Sequence, residues 1–218
     1  PLLKELGVAY ELGASLAHAN YFEPIGRKPV PSDQRNLVTN KFSTHASITS
    51  LSRNNKIMKL TFSGAGALSA LSETESEASA KVIIRSLEGT WQDLDGSLSR
   101  NGVEKTDEWP LAMASTFSPV AAAENTESEK AEESRAVVFG DATWLNDLYI
   151  AKGYVVGGYT INPHGTTLSS TLFWLTESEE LAGDVNNEND VKVQHTKEGQ
   201  GWIFYGTVFL VPLSLFGI

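Results

Sequence analysis

The chain has 218 residues, and 17 Lys and Arg stand against 27 Asp and Glu, which gives a formal net charge of −10. Because polyanions are bound through many phosphate-neutralising cations, an acidic chain with no Lys/Arg cluster argues against a nucleic-acid partner. Cysteine is absent from the sequence, which excludes thiol nucleophiles, disulfides and metal sites built on Cys. The length suffices for one domain with a buried core.

Short apolar runs of strand length, interrupted by a few helical segments, follow one another along the chain. Strands are predicted at residues 8–12, 56–62, 81–86, 111–117, 135–139 and 191–195. Helical segments are predicted at residues 2–7, 47–51, 143–149 and 162–176. Strands mixed with helices at this spacing predict an α/β fold with a layered sheet.

The segment 162–176 carries the strongest helix signals. Asn162 is a good N-cap residue, and Pro163 suits the first helical position. Leu168, Leu172 and Leu175 recur at spacings of four and three, so we expect them to form the buried face.

Two acidic, Ser-rich segments and one uncharged segment divide the chain. Residues 72–80 (SETESEASA) and 124–134 (ENTESEKAEES) hold almost no large apolar side chains and are predicted to be solvated loops. Residues 201–218 (GWIFYGTVFLVPLSLFGI) carry no charge, which is typical of a membrane span. We expect a domain at residues 1–199 that begins without its N-terminal part, and the start of a transmembrane helix at residues 200–218. A buried C-terminal helix or strand pair is the alternative for this last segment.

Asp141 is a candidate ligand-binding residue. It follows the apolar strand 135–139 and Gly140, and in open α/β sheets ligands bind just beyond the carboxyl ends of strands. The alternative is structural: Gly140 makes a sharp turn and Asp141 caps the next helix by accepting a backbone N–H.

Recognisable catalytic motifs are absent from the sequence, so no catalytic residue, cofactor or resident metal is predicted. The sequence has no Gly-x-Ser-x-Gly, His-Glu-x-x-His or phosphate-loop pattern. The glycine-rich residues 63–68 (SGAGAL) are interpreted as a turn with close backbone packing, because the third glycine and the Lys of a phosphate loop are missing. We hypothesise that His45 and Asp141 approach each other at the strand ends and hold a polar ligand or a metal ion.

Trp91 is the third candidate binding residue. Its neighbours in the sequence EGTWQDLD are polar on both sides. An exposed Trp91 would stack on a sugar or dock a partner. The alternative is a half-buried tryptophan that closes the core beside a loop.

Residues 135–147 (RAVVFGDATWLND) resemble the strand and Gly-Asp signature of the GldG-type family, the auxiliary component of an uncharacterised ABC transport system. Other segments are similar to further motifs of this family in the same order. They are residues 2–8 (LLKELGV), 44–49 (THASIT), 109–114 (WPLAMA), 172–175 (LFWL) and 202–218.

The resemblance implies a flavodoxin-like or glutaminase-like α/β domain on the periplasmic, extracytoplasmic side of a bacterial inner membrane, tethered by the C-terminal span. It also implies a non-catalytic auxiliary subunit that binds the ABC permease and ATPase subunits, or the transported cargo. In some bacteria this family is linked to gliding motility. The alternative is a membrane-tethered hydrolase or amidotransferase-like enzyme on the same sheet.

Overall fold

The computed structural model describes residues 2–26, 28–72, 75–117 and 133–178. The strands are β1 (Val8–Tyr10), β2 (Ser15–Ala17), β3 (Asn36–Thr39), β4 (Lys41–Phe42), β5 (Leu60–Ser63), β6 (Leu68–Ala70), β7 (Ser79–Arg85), β8 (Thr90–Asp93), β9 (Thr106–Asp107), β10 (Pro110–Phe117), β11 (Ser134–Phe139), β12 (Tyr154–Val156) and β13 (Tyr159–Ile161). The helices are α1 (Leu2–Glu5), α2 (Thr49–Arg53), α3 (Asp147–Ile150) and α4 (Pro163–Leu175), with 3-10 turns at Pro31–Arg35 and Ala46–Ile48.

The largest sheet has four strands in the order β11-β10-β7-β4. Its centre is β10, whose residues from Leu111 to Ser115 are all buried. Along β10 the side chains alternate between the two faces of the sheet. Met113 packs into a small cluster with Val8 and Leu68, whereas its neighbours Ala112 and Ala114 belong to the main core. The sheet is therefore covered on both faces at β10.

Smaller antiparallel units surround this sheet. They are the pairs β1-β6, β3-β5 and β12-β13 and the three-stranded sheet β2-β8-β9. The main core lies where β3-β5, the large sheet and α4 meet, and Trp144 is its largest fully buried side chain.

The predicted flavodoxin-like or glutaminase-like α/β fold is wrong. Every strand pairing in the described ranges is antiparallel, and the strands far outweigh the helices. Parallel neighbours require a crossover of a dozen or more residues, which is usually a helix. The described helices α1, α2 and α3 have four or five residues, and α4 follows the last described strand. None of these helices connects two parallel strands.

The predicted placement in an inner membrane, with the domain on the extracytoplasmic side, also needs correction. No helix in the described part of the chain is both long and apolar enough to span a bilayer. The predicted span at 200–218 and the strand at 191–195 lie outside the described residues, as does most of the predicted loop at 124–134.

The local predictions fare better than the predicted layering. Strands are present at the predicted positions 8–12, 81–86, 111–117 and 135–139. The strand predicted at 56–62 begins only at Leu60, because residues 54–57 form a turn.

Helix α4 begins as predicted but buries a different face. Asn162 is its N-cap, and its side-chain oxygen accepts the N–H of Gly165 at 2.8 Å. The buried face consists of Pro163, His164, Thr167, Thr171 and Trp174, while Leu172 is 50% exposed. His164 and Trp174, near the two ends of the helix, therefore face the core. Each of the three leucines follows a buried residue by one position in the sequence.

Two glycines allow two backbone segments to touch beside the large sheet. The Gly66 N–H donates to the Gly140 carbonyl at 2.9 Å, and the Gly140 N–H donates to the Leu111 carbonyl at 2.8 Å. A Cβ on Gly140 would lie 2.5 Å from the Gly66 oxygen, which is a backbone atom that cannot rotate away. The interpretation of residues 63–68 as a closely packed turn is confirmed.

We expect Gly140→Ala to lower the free energy of unfolding by about 1–3 kcal/mol, because the new methyl group would force these two backbones apart. The measurement is urea denaturation of the full chain. Gly102→Ala is the matched control, since its Cβ would meet nothing within 4 Å. Equal stability of the two variants would contradict the close contact.

Candidate functional site

Asp141 is a buried structural residue with both carboxylate oxygens engaged. Oδ1 accepts the N–H and the hydroxyl of Thr143, at 2.7 and 2.8 Å. Oδ2 accepts the N–H of Ser63 at 2.6 Å, and the residue is 6% exposed. The structural alternative therefore describes Asp141 better than the ligand alternative, but Asp141 holds the turn at residues 142–145 and strand β5, whereas the N-cap of the next helix, α3, is Asn146.

His45 has a comparable structural role at another place. It caps the 3-10 turn Ala46–Ile48, where its Nδ1 accepts the Ser47 N–H at 3.2 Å. Its ring lies edge-on to the ring of Trp174, with 5.0 Å between the centroids.

The structure does not bring His45 and Asp141 together in one site. His45 packs against Trp174 at the C-terminal end of α4. Asp141 bonds to β5, and the same strand bonds to His164 at the beginning of α4. His164 and Trp174 are ten positions apart in α4, which corresponds to about 15 Å at 1.5 Å per residue.

Trp91 lies inside the protein. It is 4% exposed, and in the sheet its backbone faces Ala17 on β2 and Thr106 on β9. A side chain buried to this extent offers no face for stacking on a sugar. Trp91 is also more deeply buried than in the second interpretation, because it lies within strand β8.

The most promising site is a cavity that none of these candidates line. It has a volume of about 640 Å³ and lies between residues 20–24, β3, residues 56–61, β12 and the first turn of α4. This volume falls within the range of small-molecule sites in proteins. We call it the α4 cavity.

One wall of the α4 cavity carries an ion pair. The Lys152 ammonium donates to Glu23 Oε1, and the Thr61 hydroxyl donates to Glu23 Oε2 at 2.6 Å. Burial raises the pKa of Glu23, but the bonds from Lys152 and Thr61 outweigh burial and hold the pKa below its ordinary value. Glu23 is therefore ionised at neutral pH, and the Lys152 ammonium balances its charge.

His164 forms the back of the α4 cavity and is 3% exposed. Its Nε2 accepts the Thr61 N–H at 3.2 Å, so the neutral ring carries its proton on Nδ1. The ring stacks on Tyr149 with 5.3 Å between centroids and lies 5.4 Å from the ring of Trp144. Burial is the main reason that the pKa of His164 falls to about 4; the Glu23 carboxylate opposes this shift and the Lys152 ammonium adds to it.

Tyr154 fastens the segment 56–59 to strand β12. Its hydroxyl donates to the Ile57 carbonyl and accepts the Lys59 N–H at 3.0 Å. Burial raises the pKa of Tyr154, and the hydrogen bond from Lys59 acts against that rise. The tyrosine stays neutral and holds Lys56 and Lys59 at the rim of the cavity.

A second group of polar residues lies in the loop between β8 and β9. Asp93, Asp95 and Glu104 place carboxylate oxygens within 4.8 Å of one another, and carboxylate oxygens are ligands that Ca²⁺ prefers. Among the described residues, these three carboxylates are the group close enough together to hold a metal ion. Internal contacts already engage these groups: Arg35 binds Asp93 at 2.7 Å, and Glu104 accepts the N–H groups of Leu94 and Asn101 at 3.0 and 2.9 Å.

The sequence analysis missed this loop, although a signal was present. Oxygen-bearing side chains recur in the spacing of an EF-hand loop, and Leu98 adopts a φ of 56° at the position where that loop has glycine. They are Asp93, Asp95, Ser97, Ser99, Asn101 and Glu104. The α4 cavity left no comparable signal, because its lining comes from five separate parts of the chain.

Comparison of the chain with protein-family models, with curated proteins and with solved structures found no match.

The low pKa of His164 predicts a pH-dependent stability. The folded protein keeps the ring neutral down to about pH 4, whereas the unfolded chain takes up a proton near pH 6.5, so the contribution of His164 is lost as the pH falls between these values. Between pH 7 and 4.5 this loss amounts to about 2 kcal/mol. Urea denaturation at both pH values measures this loss of unfolding free energy. The loss should be smaller in His164→Gln than in the unaltered protein, by about the same 2 kcal/mol.

Tyr149→Phe is the control for this experiment, because it keeps the stacked ring beside His164 and should keep the wild-type pH dependence. The same loss of stability in His164→Gln as in the unaltered protein would contradict the buried, neutral histidine.

Proposed function

We propose that this chain is a non-catalytic binding module, the auxiliary component of an ABC-type transport system, and that the α4 cavity is its ligand site. The observation that carries the proposal is a cavity of small-molecule size whose acid–base groups are committed to structural bonds.

The groups in the cavity are poorly suited to general base catalysis. A general base works best when its pKa lies near the working pH. The pKa of Glu23 is lowered by its bonds to Lys152 and Thr61, and that of His164 falls to about 4. Both groups therefore hold their protons too weakly to accept one efficiently at neutral pH.

The one hydroxyl bonded to a carboxylate in the cavity, that of Thr61, is also in a poor position to attack a substrate. Thr61 is 7% exposed in the middle of β5, and its N–H is bonded to His164. A nucleophile needs an adjacent base and access to the substrate. Thr61 has a weak base and little access, which favours binding over hydrolysis.

The assignment to an ABC-type system rests on the ordered resemblance to the GldG-type family. Two of its segments, 135–147 and 172–175, contribute Trp144 and Trp174 to the core. Of the two, Trp144 lies 5.4 Å from His164 at the back of the cavity, whereas Trp174 packs against His45 near the other end of α4.

Co-purification tests the proposed partners. The full-length chain, tagged and expressed at its native level, is crosslinked in its own cells, purified in mild detergent and analysed by quantitative mass spectrometry. We expect the permease and the ATPase of one ABC system at a constant ratio to the chain. An unrelated acidic protein with the same tag is the control.

Recovery of the chain without ABC subunits would contradict the proposed partners. Hydrolysis of p-nitrophenyl esters by the purified chain, lost in Glu23→Gln, would overturn the non-catalytic assignment in favour of a hydrolase.

A further inference from the structure

We propose that the α4 cavity takes an organic anion with an apolar body, such as an aromatic carboxylate. This inference rests on the proposed function, because it names the class of ligand that the binding module receives.

The first step concerns charge. Lys56, Lys59 and Lys152 line the cavity, and Glu23 is the carboxylate among its lining residues. Glu23 is already neutralised by Lys152. Lys56 and Lys59 form no ion pair with any carboxylate in the described ranges, so the cavity carries excess positive charge in a chain whose net charge is −10.

The second step concerns the position of these cations. Lys59 donates its backbone N–H to the Tyr154 hydroxyl, which itself donates to the Ile57 carbonyl. The segment that bears both lysines is therefore fixed to β12. A ligand anion would meet two lysines on a segment whose backbone is already ordered, so binding would cost little backbone entropy.

The third step concerns the remaining walls. Most of the exposed cavity surface is apolar, and its apolar side chains include Phe22, Val38, Ile57, Val156 and Pro163. Removing the apolar body of a ligand from water against such walls is favourable, while the charged end of the ligand stays at the lysine rim. Charge and apolar surface together favour an anion with an apolar body over a sugar or a cation.

Isothermal titration calorimetry of the full chain with three probes of the same ring system tests this inference. The probes are 2-naphthoate, 2-naphthylmethanol and 2-naphthylmethylammonium. We expect 2-naphthoate to bind most tightly, with an affinity that falls as NaCl is added, because salt screens exposed charges. The alcohol should bind less tightly, and the ammonium least.

The double variant Lys56→Gln/Lys59→Gln should bind 2-naphthoate about five- to tenfold more weakly, since each exposed charge contributes modestly. Its affinity for the alcohol should not change. Lys81→Gln is the matched control, because Lys81 is exposed on β7 and does not line the cavity. Both lysines of the double variant are exposed, so the variant should fold.

Two outcomes would overturn the inference in distinguishable ways. Tighter binding of the alcohol or the ammonium than of 2-naphthoate would refute the anionic ligand and leave the binding function intact. No binding of any probe would refute the α4 cavity as a ligand site, and with it the ligand-binding part of the proposed function.

Discussion

The free edge of strand β5 is the constraint on which the rest of the described domain depends. β5 pairs on one side with β3, and no second strand pairs with its other side within the described ranges. Buried backbone N–H groups must find acceptors, and an unpaired one costs about as much as a lost hydrogen bond. Here two side chains supply them: His164 accepts the Thr61 N–H, and Asp141 accepts the Ser63 N–H.

These two bonds connect the core to the α4 cavity. His164 begins α4, so its bond to Thr61 fixes the start of that helix against β5. Asp141 lies two residues after the end of β11, so its bond to Ser63 ties the large sheet to the same strand. Trp144 fills the space between them, stacked on Phe139 with 4.1 Å between the ring centroids. The back wall of the cavity at His164 is thus packed against the core of the protein.

The sequence predicts local structure well and long-range contacts poorly, for physical reasons. Strands such as β7 and β10 follow from short runs of apolar residues, and the start of α4 follows from the side-chain chemistry of Asn162 and Pro163. Strand direction depends on the length and shape of connections, which composition does not encode, so the layering was predicted wrongly. The buried face of α4 depends on partners that are distant in the chain: His164 bonds to a residue 103 positions earlier.

The predicted site residues show the same division. For Asp141 the sequence predicts either a ligand-binding residue or a structural, capping residue. Its bond to Ser63, 78 positions away, makes the structural interpretation the stronger one. The polar flanks of Trp91 suggested exposure, but pairing of β8 with strands on both sides buries it. The lysine rim of the cavity consists of ordinary surface residues until folding brings β12 beside residues 56–59.

Amide hydrogen exchange measured by NMR tests the role of the β5 edge most directly. The account predicts slow exchange at Thr61 and Ser63, and selective loss of protection at Ser63 in Asp141→Ala while Thr61 stays protected. Rapid exchange of both amides in the unaltered protein, at the rate of an open strand edge, would contradict it.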